Sequence, residues 1–220
     1  FPHTDVVQVK TNNRLDADPS EAEPLSRSRA WLEDELLSNT AFAGMNALGN
    51  RMPSLVPRFA RLAGRLQSER RYSDIPHRVF TAPRRVVFRE MEYAVPRAAG
   101  MAALREARAL VDREGWRISF PVEIRYAPAD DIALSTASAR ESVYLAFHVN
   151  RATDHTAYFR GVEEVLKAHD GRPHWGKLHT RTAADLAPAY PRWREFADLR
   201  DRLDPARVFT NPHLTQILGP

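Results

Sequence analysis

The first part of the chain carries its apolar residues at helical spacing. Between Ser28 and Leu66 they recur at about every third or fourth position, in three groups. The groups are Trp31, Leu32 and Leu36; Phe42, Met45 and Leu48; and Leu55, Phe59, Leu62 and Leu66. Asn39, Gly49–Asn50 and Pro53 separate the groups. The pattern predicts three short helices in a helical segment over about residues 28–70.

Beyond Pro76 the pattern changes to one that predicts strands alternating with helices. Extended chain is expected at HRVF (77–80), RRVVFREMEYAVP (84–96), SFPVEIRYAP (119–128), SVYLAFHVNR (142–151) and RPHWGKLHT (172–180). Helices are expected from Arg97 to Glu114, from Asp154 to His169 and over residues 191–203, where Asp204-Pro205 ends the last one. The order β-α-β-β-α-β predicts an α+β, ferredoxin-like fold, in which an antiparallel sheet carries both helices on one face. The helical segment is an addition to it.

Side chains alternate between the two faces of a strand, so each strand assigns its residues to a face. In the second strand Val122, Ile124 and Tyr126 are expected under the helices, which places Glu123 and Arg125 on the opposite face. The helix-facing set of the third strand is Val143, Leu145, Phe147 and Val149, with Tyr144, His148 and Asn150 opposite. In the first strand, Glu90 and Glu92 share their face with Val86 and Phe88. A face that includes Phe88 is expected to be covered rather than open to water.

Composition excludes several classes of protein. The 220 residues are 43% apolar and 27% charged, as in a soluble globular protein. No apolar run approaches the roughly 20 residues that a membrane helix needs, and the opening FPHTDVVQVK lacks the features of a signal peptide. Cysteine is absent, which excludes disulfides and thiolate nucleophiles and leaves the compartment undetermined. We expect no membrane span and, by default, a cytoplasmic location.

The net charge of +4 comes from 32 basic and 28 acidic residues, and the basic residues are scattered. The densest basic stretch, over residues 65–90, is interrupted by Glu69, Asp74 and Glu90. A surface that follows a phosphate backbone usually has a stronger basic excess. Nucleic-acid binding is therefore the weakest of the functions considered, and a solvated face with salt bridges explains the stretch equally well.

Several residues on the polar face and in RPHWGKLHT are candidates for chemistry, each with a structural alternative. Glu123 and Arg125 could form a solvated ion pair, which would contribute little. His148 could be a partly buried histidine that a neighbour satisfies. His174 and His179 could be loop residues, and their spacing matches no common metal motif, so no metal is expected.

Four motifs favour a functional interpretation. They are EIR (123–125), HWGK (174–177), EYAVPR (92–97) and the ending RLDPARVFTNPHL (202–214). Together they resemble the C-terminal half of the aldonolactone and alditol oxidases, in the vanillyl-alcohol-oxidase superfamily of FAD enzymes, which includes D-arabinono-1,4-lactone and gulonolactone oxidases. HWGK with the downstream LDP-x-x-x-F-x-N is the more specific part, and EIR alone is weak. The opening stretch and the residues 31–59 are similar as well, so the resemblance covers nearly the whole chain.

The chain departs from this family in one respect. Members carry an FAD-binding domain ahead of this region, with a glycine-rich loop for the pyrophosphate. The chain has nine glycines and no G-x-G-x-x-G or similar cradle, and it begins after that domain would have ended. We therefore expect a fragment, a cleavage product or one chain of a two-chain enzyme, inactive without its FAD-binding partner. In this interpretation residues 1–220 form the substrate-binding (cap) domain.

The resemblance also implies roles for individual residues. Carried over by position, Lys177, Glu123 and Arg125 match residues that bind and polarise the substrate, with His148 as a further candidate. His174 would lie next to the edge of the flavin. Arg125 and Lys177 would stabilise the alkoxide character that develops as hydride leaves the alcohol carbon. Glu123 would accept hydrogen bonds from sugar hydroxyls, and either His174 or water would accept the proton.

The leading hypothesis is the substrate domain of an FAD-dependent oxidase that acts on a sugar lactone or a polyol. The main alternative is a non-enzymatic α+β interaction module that retains the fold. The sequence leaves open the exact substrate, the electron acceptor, the covalent attachment of FAD and the oligomeric state.

Overall fold

The computed structural model describes residues 2–16, 18–66, 69–81 and 83–220. Gln67 and Ser68, at the end of the predicted helical segment, lie outside the described residues, as do Phe1, Ala17 and Ala82. The chain divides into two compact units. The first contains the residues up to Phe88 with Arg117–Pro121 and Val149–Thr153, and the second contains Arg89–Trp116, Val122–His148 and Asp154–Pro220.

The first unit is helical. Its elements are a 3₁₀ turn (Pro19–Glu21), α1 (Arg27–Ala30), a π-helix (Trp31–Ala41), α2 (Phe42–Arg51), a 3₁₀ turn (Pro53–Leu55), α3 (Val56–Leu66) and α4 (Pro76–Phe80). The predicted break at Pro53 is confirmed, but those at Asn39 and Gly49–Asn50 are wrong, because the chain stays helical to Arg51.

Asn39 fails to end the helix because its side chain bonds elsewhere. Its amide nitrogen donates to the carbonyl oxygens of Asp34 and Pro83, and its amide oxygen accepts the N–H of Arg85. The bond to Asp34 spans five residues, as in the wide π turn. Asn39 therefore ties the helix to the segment that precedes the sheet.

The prediction of extended chain at HRVF is also wrong. Residues 77–80 belong to the single-turn helix α4, which Pro76 opens. Proline is favoured there because its fixed φ matches the helix and its missing N–H would be unsatisfied in any case. The Ile75 carbonyl accepts the N–H of Arg78, which closes the turn.

The second unit is built on a four-stranded sheet of β1 (Phe88–Pro96), β2 (Glu123–Ala127), β3 (Ser142–Asn150) and β4 (Arg172–Pro173), in the order β2-β3-β1-β4. β1 pairs antiparallel with β4, and β2 pairs antiparallel with β3. The helices α5 (Gly100–Arg113) and α6 (Thr156–Ala168) agree with the predicted helices to within about three residues. The observed class is therefore α+β, with an antiparallel sheet.

Two glycines allow α5 to pack closely on β3, and α6 to pack closely on α5 and Trp116. A Cβ on Gly100, at the start of α5, would lie 2.7 Å from a methyl carbon of Val143 in β3. A Cβ on Gly161 of α6 would lie 2.9 Å from the Trp116 ring and 3.1 Å from a methyl carbon of Leu110. Contacts of 2.7 and 2.9 Å are shorter than packed side chains tolerate. The two glycines therefore allow α5 and α6 to lie this close to their neighbours.

The predicted helix-facing residues of β3 are buried, as are three apolar residues of β1 on the face opposite Glu90 and Glu92, whereas Val87, just before β1, is 55% exposed. The buried residues are Met91, Tyr93, Val95, Val143, Leu145, Phe147 and Val149. The prediction for Tyr126 is wrong, because this side chain is 59% exposed. β2 is an edge strand. The guanidinium of Arg97 lies over the Tyr126 ring, 5.8 Å from the ring centroid.

The C-terminal part adds α7 (Ala183–Leu186), a 3₁₀ turn (Ala187–Ala189), α8 (Trp193–Leu203) and α9 (Pro212–Leu218). α8 confirms the predicted helix that ends before Asp204, whereas α7 and α9 were not predicted. These helices share a buried cluster of Leu186, Tyr190 and Ile217, and Trp175 packs against this cluster. No helix in the described part of the chain is long and apolar enough to cross a membrane.

Candidate active site

The polar face of the sheet brings together six charged or ionisable side chains from three strands and one turn. The alternation of the strands aims Glu90 and Glu92 of β1 at this face, together with Glu123 and Arg125 of β2 and His148 of β3. β2 and β3 are in the register that places Arg125 opposite Tyr144. Lys177 reaches the face from the segment after β4. We call these residues the charge chain: Glu123, Arg125, Glu92, Lys177, Glu90 and His148.

Glu92 is the centre of the charge chain. Its side chain is only 1% exposed, and its two carboxylate oxygens bind different cations. Oε1 accepts a hydrogen bond from Nη2 of Arg125, and Oε2 accepts one from Nζ of Lys177. A buried carboxylate is tolerated only when it is paired, and Glu92 is paired twice. The face is thus shielded from solvent at Glu92, whereas Glu123 and Arg125 on the same face are half exposed.

A turn of His174–Lys177 brings Lys177 over the sheet. The chain pairs with β1 before the turn, where the His174 N–H donates to the Glu92 carbonyl at 2.9 Å. It returns to β1 after the turn, where the Leu178 N–H donates to the Glu90 carbonyl at 3.1 Å. RPHWGKLHT was predicted to be extended throughout, but only Arg172–Pro173 is strand. The prediction is wrong because HWGK forms a turn that leaves the ladder and rejoins it.

Glu90 forms the other end of the arrangement. Its Oε1 accepts a hydrogen bond from Nζ of Lys177 and lies 3.0 Å from Nε2 of His148. Partial burial opposes the ionisation of this carboxyl group, but the hydrogen bonds and charges of His148 and Lys177 outweigh it. They lower the pKa of Glu90 to about 2.

Arg125 and Glu123 lie at the open end of the charge chain, on the edge strand β2. Nε of Arg125 is 3.4 Å from Oε1 of Glu123, so the two form the ion pair considered above, and each side chain is 50% exposed. The guanidinium also lies over the ring of Tyr144, 5.9 Å from its centroid. Arg125 is therefore held by Glu92 on its buried side and remains accessible on the other.

His174 is separate from the charge chain. Its side chain is exposed, and its Nδ1 accepts the N–H of Gly176 at 3.2 Å within the turn. No contact found among the described residues joins its imidazole to Lys177 or Arg125. His179, the other histidine of this segment, has a lowered pKa because burial disfavours its charged form.

Two anchors fix the turn that carries Lys177. Trp175 donates from its indole nitrogen to the Leu134 carbonyl at 2.8 Å and packs on Tyr190, with 5.1 Å between ring centroids. Beyond the turn, Thr180 donates from its N–H and its hydroxyl to the carboxylate of Glu163, at 2.7 and 2.8 Å. Glu163 is 2% exposed on α6. The turn is therefore held by one part-buried contact within it and by a second one just beyond it.

The sequence interpretation assigned no role to Glu90, Glu92 or Glu163. The first two were recognised as polar residues on the second face, and that placement was their only signal. Their importance comes from partners that are distant in sequence, since Arg125 is 33 and Lys177 is 85 residues from Glu92. Nothing in the sequence indicated that Glu163 is buried, because it lies on an amphipathic helix, where an exposed carboxylate is common.

The described residues offer neither a metal site nor a pyrophosphate cradle. No group of three metal-binding side chains occurs in the part of the chain that the structure describes. Among its glycines only Gly115 and Gly219 have positive φ, and both follow the C-terminal ends of helices. A dinucleotide cradle instead needs glycines before a helix N-terminus. The donors that the face presents, Arg125 and Lys177, suit a substrate's oxygen atoms.

Comparisons with known proteins identify relatives over the whole chain. A family model described as D-arabinono-1,4-lactone oxidase matches residues 1–217. An L-gulono-1,4-lactone dehydrogenase of Mycobacterium tuberculosis is 40% identical over 100% of the chain, which covers 50% of that protein. The mouse L-gulonolactone oxidase is 27% identical over 99% of the chain and is likewise half covered. A Streptomyces alditol oxidase is 35% identical over 130 residues, 59% of the chain and 31% of that protein. The chain thus spans about half the length of the L-gulono-1,4-lactone dehydrogenase and of the L-gulonolactone oxidase.

Proposed function

The chain belongs to the D-arabinono-1,4-lactone oxidase family, and we propose that it is the substrate-binding domain of an FAD-dependent oxidoreductase. The reaction is the oxidation of a CH–OH group in a sugar lactone or a polyol. Relatives named for gulonolactone and alditol oxidation support this substrate range. The observation that carries the proposal is the charge chain, in which buried Glu92 positions both Arg125 and Lys177 on one face.

Each cation has a distinct part in the proposed site. Arg125 offers a planar guanidinium that is half accessible, and such a group can donate two parallel hydrogen bonds to neighbouring oxygens. Lys177 is a compact charge, held by Glu90 and Glu92. Positive groups that are fixed before the reaction stabilise developing alkoxide character at the substrate oxygen.

The carboxylate and imidazole groups complete the substrate contacts. Glu123 is half exposed and accepts hydrogen bonds from the substrate's hydroxyl groups while it orients Arg125. His148 binds Glu90 and contributes to the floor of the site. The proton of the reacting hydroxyl group goes to His174 or to water.

FAD is held mainly by a domain or chain that is not part of the described residues. When bound, the flavin supplies the acceptor for the substrate's hydride, at its N5 atom. The absence of a glycine cradle from the described residues supports the assignment of the pyrophosphate to that partner. Exposed His174 is the residue of this chain that we place beside the flavin edge.

The domain organisation follows from the same proposal. Residues 1–220 form the cap over the flavin, with the helical segment of about residues 28–70 as an insertion. We further propose that the sheet is ferredoxin-like. The strand order β2-β3-β1-β4, with α5 between β1 and β2 and α6 between β3 and β4, supports this topology.

A visible absorbance spectrum tests the proposal. The protein is purified with its FAD-bearing domain or chain and mixed anaerobically with L-gulono-1,4-lactone or a polyol, and bleaching of the flavin absorbance is expected. The 220-residue chain alone should be colourless and should not bind FAD at micromolar concentrations. A flavin that no lactone or polyol bleaches, or tight FAD binding by the chain alone, would contradict the proposal.

A further inference from the structure

Two arginines lie close together at one end of the polar face. Arg172 of β4 is paired with Ala94 of β1, so the alternation of the strands places its side chain on the face that carries Glu92. Arg172 is 5% exposed, and its guanidinium lies over the ring of Tyr190, 4.8 Å from the ring centroid. Arg140 precedes β3. Burial and, after it, the charge of Arg172 lower the pKa of Arg140 to about 10, so the two guanidinium groups are near neighbours.

Among the described residues, no carboxylate forms an ion pair with either arginine. Each guanidinium donates to backbone carbonyl oxygens instead, at distances between 2.7 and 3.3 Å. The carbonyl groups are those of Thr136, Ser138 and Ala189 for Arg172, and those of Ala94 and Asp170 for Arg140. A carbonyl oxygen satisfies an N–H group but does not neutralise its charge. The fold therefore holds two like charges together, away from bulk water, without an opposite charge to compensate them.

The nearest acidic residues do not compensate the two charges. Burial lowers the pKa of Arg172 more than the charge of Asp130 raises it. The carboxylate of Asp130 is engaged within its own loop, where it accepts hydrogen bonds from the N–H of Ile132 and the hydroxyl group of Ser135. Asp170 is exposed and offers Arg140 its carbonyl oxygen.

Two buried polar atoms beside these charges have no hydrogen-bond partner in the described part of the chain. They are Nε of Arg140 and the hydroxyl oxygen of Tyr190. Tyr190 is 2% exposed. Burial raises the pKa of Tyr190, and the charges of Arg172 and Arg140 are the largest effects that oppose this rise, so the phenol lies near both cations. Buried polar groups are almost always hydrogen-bonded, and unpaired donors beside two uncompensated charges therefore indicate a bound group.

We propose that Arg140, Arg172 and Tyr190 bind a small inorganic anion of the chloride class, which accepts hydrogen bonds from Nε of Arg140 and from the Tyr190 hydroxyl group. Both groups can donate, and an anion without hydrogens needs donors only. Because both atoms are buried, the ligand is enclosed, and two free donors would leave a four-oxygen anion such as phosphate unsatisfied. The ring of Trp175 packs on Tyr190, so the anion lies behind an anchor of the turn that carries Lys177. The inference does not depend on the function proposed above.

The test therefore uses no substrate. The protein, purified with its FAD-bearing domain or chain, is melted in sodium chloride and in sodium isethionate at equal ionic strength, which separates anion binding from charge screening. Isethionate is too large for an enclosed site. The Tm should rise with chloride and level off at or below about 0.15 M, the physiological ionic strength. Crystals soaked in sodium bromide should show an anomalous peak within hydrogen-bond distance of Nε of Arg140 and the Tyr190 hydroxyl group.

A pair of tyrosine variants assigns the effect to this site. Tyr190→Phe keeps the ring over Arg172 and removes the hydroxyl group, so the dissociation constant for chloride should rise about tenfold or more, as expected when a hydrogen bond to a charged group is lost. Tyr158→Phe is the matched control. The Tyr158 hydroxyl group is also buried and unpaired, but burial accounts for its raised pKa without a contribution from a cation. The control should keep the chloride dependence of wild type.

Three results would overturn the inference. Equal Tm values in chloride and isethionate, with no bromide peak at the site, would mean that water fills it. A Tm that continues to rise with chloride beyond physiological ionic strength would be a general salt effect. A Tyr190→Phe protein with the chloride dependence of wild type would place the anion elsewhere.

Discussion

The carboxylate of Glu92 accepts a hydrogen bond from the ammonium of Lys177, 85 residues later in the chain, at a point where the Glu92 side chain is 1% exposed. The other oxygen of the same carboxylate binds Arg125. One buried acid thus fixes both cations of the proposed site, and the position of each depends on it.

Removal of this acid should destabilise the fold. Glu92→Ala leaves two cations without their shared partner, and loss of one member of a buried ion pair costs about 3–5 kcal/mol. Because Arg125 is half exposed, we expect a loss of roughly 2–4 kcal/mol in the free energy of unfolding, measured by urea denaturation. Glu164→Ala, at an exposed pair, should cost less than about 1 kcal/mol. A Glu92→Ala loss as small as that of the control would mean that Glu92 is not the anchor.

The low pKa of Glu90 predicts a pH dependence. A carboxyl group whose folded-state pKa lies below its unfolded value stabilises the fold above the unfolded pKa, and this stabilisation is lost as pH falls towards the folded value. For Glu90 the window runs from about pH 4.5 down to about pH 2. The shift corresponds to a contribution on the order of 3 kcal/mol.

Denaturation of wild type and Glu90→Gln at several pH values in this window measures the contribution. The stability difference between the two proteins should be largest near pH 5 and shrink towards pH 2. A difference that stays constant through the window would contradict the assigned pKa.

The anchor at Glu163 should control the order of the segment after Lys177. Glu163→Ala removes the acceptor of two hydrogen bonds from Thr180 and one from the Tyr93 hydroxyl group. A buried donor left without a partner costs about 1–3 kcal/mol. Of the three donors only the hydroxyl group of Tyr93 belongs to a buried residue, and exposed Thr180 can bond to water instead, so we expect a total loss of roughly 2–4 kcal/mol. Amide hydrogen exchange should accelerate at Leu178 and Thr180 before it does so in α5. Thr180→Val, which removes only the hydroxyl, should cost about 1 kcal/mol, and unchanged exchange at both amides in Glu163→Ala would refute the anchor.

Close packing of α5 on β3 is tested by a pair of glycine variants. Gly100→Ala places a Cβ 2.7 Å from a methyl carbon of Val143, so it should destabilise the fold by about 1–3 kcal/mol. Gly44→Ala, in α2, meets no atom within 4 Å and should stabilise by about 0.5–1 kcal/mol, since alanine favours helix. Thermal melting of both variants gives the comparison. Equal effects of the two substitutions would contradict the packing.

The sequence predicted the elements whose signal is local. Periodicity placed β1, β2, β3, α5 and α6 in the correct order, and alternation assigned Glu123 and Arg125 to the polar face. The prediction failed where a distant partner decides the structure. Asn39 continues a helix because residues 83–85 take up its side chain. HWGK forms a turn because β1 pairs with the chain on both sides of it.

The candidate site was predictable in part for the same reason. Lys177, Arg125 and Glu123 were selected from motifs, and His148 from its place on the polar face. The structure brings them together through Glu90 and Glu92. No local pattern indicates that one carboxylate bridges residues 33 and 85 positions away. His174 was selected with the others, and its contact with a flavin stays a prediction.

The proposal that Glu123 and Arg125 bind the substrate has one most direct test. It is stopped-flow reduction of the flavin by a lactone or polyol in the assembled protein, because this measures hydride transfer without dependence on the electron acceptor. Glu123→Gln should slow the reduction by about 10²–10³ while unfolding free energy changes by no more than about 1 kcal/mol. Glu164→Gln should behave like wild type. A Glu123→Gln protein that reduces its flavin at the wild-type rate, with the wild-type dependence on substrate concentration, would contradict the account.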